Sequence, residues 1–177
     1  MIMLAGSVVF IRVIAVVGVA APAHWLAIAP WIAVMLGIML LLSGVLAWKA
    51  WGSHTKLPEP SNPTELKSAL IFTAVYAVVL LAVAATKQHF GDRGLYPVAV
   101  LSGLTDMDAI TLSTADMARE GKLEPGTTTR LIILASMANL LFKGIMVGML
   151  GTRALALRVG MLFALALIGG GVLLWMI

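Results

Sequence analysis

The chain has 177 residues and 18.6 kDa, is 61% hydrophobic and 11% charged, and has a mean hydropathy of +1.04. That balance excludes an ordinary soluble domain, in which about a quarter of residues are charged, and it excludes a disordered chain, which lacks such apolar surface. The absence of cysteine removes disulfides, thiolate metal sites and iron–sulfur clusters, and the pI near 9.8 comes from Lys and Arg scattered singly between apolar runs, which reads as loop charge on a membrane protein and predicts no nucleic-acid partner.

Six apolar segments predict an all-α, polytopic integral membrane protein, a single transmembrane domain over residues 1–177. Each segment has about the 20 residues needed to cross roughly 30 Å of hydrocarbon. The first runs from Ile2 to Ala21. A signal peptide is its alternative reading, with small residues at 19–23, but the amino end is not basic and Arg12 interrupts the apolar core. The second span covers Trp25 to Trp48. Residues 49–63, with Pro58, Pro60 and Pro63, read as an exposed linker. It leads into span three, Glu65 to Thr86, whose start carries Asn62 as N-cap, Pro63 and a capping-box Glu65. Tyr76 lies mid-span with Thr73 one turn earlier, and its hydroxyl suits a neighbouring carbonyl better than a ligand. Span four is Leu95 to Arg119, span five Thr128 to Leu150 and span six Ala154 to Ile177.

Six crossings put both termini on one side. Lys49, Lys56, Lys67, Arg119, Lys122 and Arg130 flank loops on one side against Lys87, Arg93, Arg153 and Arg158 on the other. This bias predicts cytoplasmic termini in a bacterial inner membrane. A partial internal repeat is also expected. Ile2-Met-Leu-Ala5 matches Ile132-Ile-Leu-Ala135, and Gly44-Val-Leu-Ala-Trp48 matches Gly171-Val-Leu-Leu-Trp175, so that residues 1–48 resemble 128–177 while spans three and four, 64–127, have no counterpart. Chance matching in apolar sequence is the competing explanation.

The chemistry lies in span four. Thr105, Asp106, Asp108, Thr111, Ser113 and Thr114 cluster around its centre, where each aspartate costs about 2.5–3.5 kcal/mol to insert. Gly103 weakens the helix upstream, and Asp106 suits the N-cap of a half-helix beginning at Met107. A helix broken between Gly103 and Asp106 is the transporter pattern, with oxygens and freed backbone groups forming a midplane site. Oxygen ligands suit hard cations, so Asp106 and Asp108 are the candidate metal ligands, with Thr105, Thr111 and Asn139 in support. On an unbroken helix the two aspartates point about 200° apart, so the chain must unwind for both to face one ion. The plainer alternative is that Asp106 caps and Asp108 favours the helix dipole.

Ser136, Asn139 and Lys143 form a polar stripe on span five, and Arg12 sits mid-span in span one. Lys143 and Arg12 are the candidate gating or charge-compensating bases. Closed ion pairs that only set helix packing are the structural alternative. Gly144 and Gly148 read as helix-packing positions. His24, His54 and His89 make no ligand spacing, and the tryptophans read as interface anchors. No nucleophile–base pair or nucleotide fingerprint is present, so no enzyme and no resident cofactor are expected beyond a transported cation.

Asn62-Pro-Thr-Glu-Leu-Lys-Ser-Ala-Leu70, Gly91-Asp-Arg-Gly-Leu-Tyr96, Ser102-Gly-Leu-Thr-Asp-Met-Asp-Ala-Ile-Thr-Leu-Ser113 and the stretch from Ala135 to Lys143 resemble the uncharacterised membrane domain that often follows an MgtC/SapB domain in bacterial proteins. That resemblance implies a setting of magnesium homeostasis or membrane-potential stress, by analogy alone. The family pattern starts earlier, with a Gly-Leu-x-Ser-Ser-Thr-Ala-Thr-Thr-like segment; this chain joins it near Ser7-Val-Val-Phe-Ile-Arg-Val13. No MgtC/SapB domain precedes that point, so a short member, half of a split pair or a misplaced start is expected. A missing half-repeat further predicts a homodimer, or a separate subunit that fills the gap. The functional expectation is a transporter or channel for a divalent cation such as Mg2+. The alternatives are a non-transporting membrane regulator and an anion carrier using Arg12 and Lys143.

Overall fold

Uniformly apolar stretches with few breakers fold as long helices, and the computed structural model, which describes residues 2–50, 70, 73, 74, 77 and 94–177, is helical throughout. It contains α1 (Ile2–Ala20), a 3-10 turn (Pro22–His24), α2 (Trp25–Ala50), α3 (Leu95–Thr105), α4 (Met107–Arg119), α5 (Pro125–Leu150) and α6 (Arg153–Met176). There is no strand among the described residues. The linker beyond residue 50, the Asn62–Glu65 helix start, Tyr76 and most of span three lie outside the described residues.

Among the described residues, three segments, Pro22–Val45, Pro125–Leu150 and Arg153–Met176, are long and apolar enough to cross a membrane. Span four does not form one crossing helix. α3 has 11 residues and α4 has 13, about 17 and 20 Å at 1.5 Å per residue, each well short of the hydrocarbon thickness.

α5 is the central element and packs against α2, α3, α4 and α6. Most of its first half is inside: Thr128, Thr129, Leu131, Ile132, Ile133, Ala135, Ser136, Ala138, Asn139 and Leu140 are buried, while Arg130 is exposed and Leu134 and Met137 are half-buried on the remaining face. The second half keeps only Phe142 and Met146 inside, and Leu141, Ile145 and Met149 are about half exposed. The buried hydroxyls are satisfied within α5. Thr129 Oγ1 donates to the Pro125 carbonyl at 2.8 Å and Ser136 Oγ donates to the Ile132 carbonyl at 2.7 Å.

Helix directions follow from paired contacts. In the α1–α2 hairpin Gly6 faces Met39 and Gly18 faces Trp25, and in the α5–α6 hairpin Gly144 faces Phe163 and Gly170 faces Met137. Each pair is therefore antiparallel. α1 and α4 run parallel, because Arg12 at the middle of α1 meets Asp108 at the start of α4 while Ala20 and Ala21 at the end of α1 pack with Ala115 farther along α4. The turn at 22–24 then lies at the same end of the bundle as the turn at 120–124, and the other end holds the close of α2 and the turn at 151–152. Among the described helices, the end of α2 lies with the start of α6, and the start of α1 and the end of α6 lie at opposite ends.

Candidate functional site

The interruption is built by one residue. Asp106 is extended (φ −139°, ψ 106°) between the last residue of α3 and the first of α4. Its own amide still donates to the Ser102 carbonyl at 2.7 Å. Its carboxylate caps α4: the amides of Asp108 and Ala109 donate to Oδ1 at 2.9 and 3.4 Å. In a continuous helix those amides would bond to the Leu104 and Thr105 carbonyls, so the carboxylate has taken the place of two backbone acceptors. The cap foreseen at Asp106 is present, and α4 begins at Met107.

α3 is seated by its backbone. At Gly103 an added Cβ would lie 2.3 Å from the Ala135 carbonyl oxygen and 2.6 Å from its Cα, so only glycine allows this approach. The Gly103 carbonyl, which the break would otherwise leave bare, accepts a hydrogen bond from Asn139 Nδ2 at 2.9 Å. Ser102, next to it, is buried, and its Oγ has no hydrogen-bond partner. Thr105 Oγ1 donates back to the Ser102 carbonyl at 3.3 Å.

α4 is seated differently. Asp108 forms an ion pair with Arg12 of α1, and the two side chains are 30% and 65% exposed. Thr111 is fully buried, and its hydroxyl donates to the Met107 carbonyl at 2.7 Å. Thr114 does likewise with the Ile110 carbonyl at 2.8 Å. Each of these donors is spent inside α4.

The candidate residues thus divide. Asp106, Thr105, Gly103 and Asn139 meet at the break; Asp108 and Arg12 meet one turn into α4. Asp106 is exposed and turned into the start of α4, while Asp108 is turned toward α1, so the two carboxylates do not converge on one point. Lys143 is partly buried and makes no ion pair or hydrogen bond among the described residues, so Arg12 alone compensates an acid here. No cluster of three or more His, Asp or Glu side chains could hold a metal ion among the described residues. Any bound cation would rely on hydroxyl and carbonyl oxygens beside a carboxylate.

One feature was absent from the sequence reading. Between α1 and α4 runs an open groove of about 720 Å3, with Ala15, Val16 and Val19 on one wall and Asp108, Leu112 and Asp116 on the other. Asp116 pairs with Arg119 at 3.0 Å. The signal was available: Asp108, Leu112 and Asp116 repeat at four-residue spacing and share one face of a helix.

The chain matches, over residues 1–151, a family described as a domain of unknown function, DUF4010. An uncharacterized protein of Aquifex aeolicus (strain VF5) is 36% identical over 109 residues, covering 62% of this chain and 46% of that relative. The chain therefore matches less than half the length of this curated relative. No solved structure matches it. With the family pattern covering most of the chain, and with the Asp-x-Asp segment at its helix break, the protein belongs to the DUF4010 family.

Proposed function

We propose that the protein is a cation transporter or channel of a bacterial inner membrane, with Mg2+ the first ion to test, and that the break between α3 and α4 is its ion site. The observation that carries this reading is the exposed Asp106 carboxylate at the meeting of two half-helices. The end of α3 contributes about −0.5 charge and the start of α4 about +0.5, so the carboxylate leaves the junction near −1, a field that favours a cation over an anion. Asp106, the Thr105 hydroxyl, the Asn139 amide oxygen and the carbonyls of the break supply hard ligands. Asp108 is the switchable acid: it rests on Arg12 and turns toward the break when a cation enters. Thr111 stays a structural neighbour, and Lys143 acts as a nearby positive charge without a fixed partner.

Two further observations support the reading. The α1–α2 and α5–α6 hairpins run in opposite senses, the relation found between inverted repeats in transporters. The resemblance to domains that follow MgtC/SapB points to magnesium. A second copy of the chain, or a separate subunit, would complete a two-repeat assembly.

The test is flux in proteoliposomes. Asp106→Asn is expected to abolish Mg2+ uptake in a protein that stays folded and monodisperse, and Asp108→Asn to do the same. Uptake unchanged in both variants ends this reading. A non-transporting regulator is the second reading, favoured by the fact that Arg12 already neutralises Asp108 and the cap already engages Asp106. In that case Asp108→Asn lowers stability and leaves no flux to lose, and a charge-exchanged pair at positions 12 and 108 recovers the stability. An anion carrier would instead lose transport on Arg12→Gln or Lys143→Gln while tolerating Asp106→Asn.

A further inference from the structure

The depth and direction of the helices carry an inference about how span four sits in the membrane. α4 runs parallel to the second half of α1, from the pair of Arg12 at mid-α1 with Asp108 at the start of α4 to the packing of Ala20 and Ala21 on Ala115. α4 therefore ends where α1 ends, at the turn before α2. The question is where α3 begins.

Two courses are open to α3. It can continue the line of α4 toward the far end of the bundle, or it can fold back beside α4. A continuing α3 would run antiparallel to α5, and a folded-back α3 would run parallel to it. Helix carbonyls point toward the C-terminal end. Where the two helices touch, the Gly103 Cα side lies against Ala135, while the Gly103 carbonyl accepts from Asn139, one turn farther along α5. α3 and α5 therefore advance in the same direction, as a chain folding back at Asp106 requires.

We infer that α3 and α4 form a re-entrant hairpin, entering and leaving the membrane at the end of the bundle shared by the 22–24 and 120–124 turns, with Asp106 at its tip. α1, α2, α5 and α6 make complete crossings, and the start of α1 and the end of α6 lie on opposite sides. Half-helices of 11 and 13 residues reach about 17–20 Å, somewhat past the middle of a hydrocarbon layer of about 30 Å. Broken backbone at that depth is tolerated where protein surrounds it or it lines a cavity, and Asn139 and the Asp106 cap supply the hydrogen bonds that lipid cannot. The hairpin holds whichever ion crosses, or none, so its failure and that of the transport reading are measured separately.

The chain has no native cysteine, so single thiols report cleanly. Tyr96→Cys, Lys122→Cys and Arg153→Cys all fall at exposed positions. Each full-length variant is treated with a membrane-impermeant maleimide in right-side-out and in inverted vesicles. Positions 96 and 122 are expected to react from one face and position 153 from the other. Reaction of 96 together with 153, against 122, would show α3–α4 to be one continuous crossing and overturn the hairpin. Protease access to tags at the two termini gives an independent reading: opposite faces support the arrangement, and a shared face overturns it.

Discussion

α3 lies on α5 through a glycine, a carbonyl and an amide, whereas α4 lies on α1 through a guanidinium and a carboxylate of opposite charge. The first contact is steric and short-ranged, and it does not change with charge state. The second exists only while Asp108 is ionised and Arg12 has no better partner. Two halves of one interrupted segment are thus held by different physics, and the half that can be released is the one that begins at the candidate ion site.

The sharpest way to break the contrast is to remove the steric seat. Gly103→Ala drives a methyl into the Ala135 backbone, which has no flexible end to yield. The expected loss is at least about 1–3 kcal/mol, the range for overpacking a closed contact, read as a lowered melting temperature in detergent. Gly148→Ala is the control, because nothing lies within 4 Å of its Cβ position. There the helix gains about 0.5–1 kcal/mol from the lost backbone freedom of glycine. Equal effects at 103 and 148 would mean that α3 does not approach α5 as closely as described.

Asn139→Leu is the next largest. It keeps the volume but leaves the Gly103 carbonyl without its donor, at a cost of about 1–3 kcal/mol for an unmet buried acceptor. Asn139→Asp should be worse, since a carboxylate offers that carbonyl no hydrogen unless it is protonated. If Asn139→Leu melted with the parent, the break would not depend on this bond.

The α1–α4 side comes next. Arg12→Gln, Asp108→Asn and the double variant form a cycle whose coupling should exceed the roughly 0–1 kcal/mol of surface pairs, because the pair lies at mid-span depth with its acid only 30% exposed. A coupling of several kcal/mol, insensitive to salt, would describe a locked pair, and Asp108 could then not serve as a switch.

Much of this was legible in the sequence, and the reasons differ by residue. Asp106 announced the break because a capping residue at the centre of an apolar segment has no cheaper explanation. Arg12 was legible as its neighbour's partner because a base at that depth needs an acid. Gly103 was noticed for the wrong reason: it was read as a weak point in a helix, while its use is the approach to Ala135, which only the fold reveals. Lys143 was expected to hold a carboxylate because it shares a face with Asn139, yet spacing along one helix says nothing about which element lies opposite. The direction of α4 was hidden for the same reason. Length and hydropathy of residues 95–119 fit a crossing, and only the contacts with Arg12, Ala20 and Ala21 reveal its course. Asp116 stands at four-residue spacing from Leu112 and eight from Asp108, the signal that marks it as part of the groove wall.

The smallest effect is expected in the 120–124 turn, and it calibrates what a charge pair does when it holds no helix in place. Lys122 Nζ lies 2.7 Å from Glu120 Oε2, with both side chains largely exposed. The hydrogen bond from Lys122 first, then its charge and that of Arg119, hold the Glu120 carboxyl below its usual value, against a small opposing effect of desolvation. A depressed folded-state pKa means that the pair's contribution is present above the unfolded value of about 4.3 and is lost as pH falls through the lower folded value. Lys122→Ala should therefore move the Glu120 titration, followed by NMR of its carboxyl carbon, upward, and leave stability at neutral pH unchanged within error. If this variant cost as much at pH 7 as Arg12→Gln, the α1–α4 ion pair would be ordinary surface charge, and the distinction between the two halves of the hairpin would rest on the α3 seat alone.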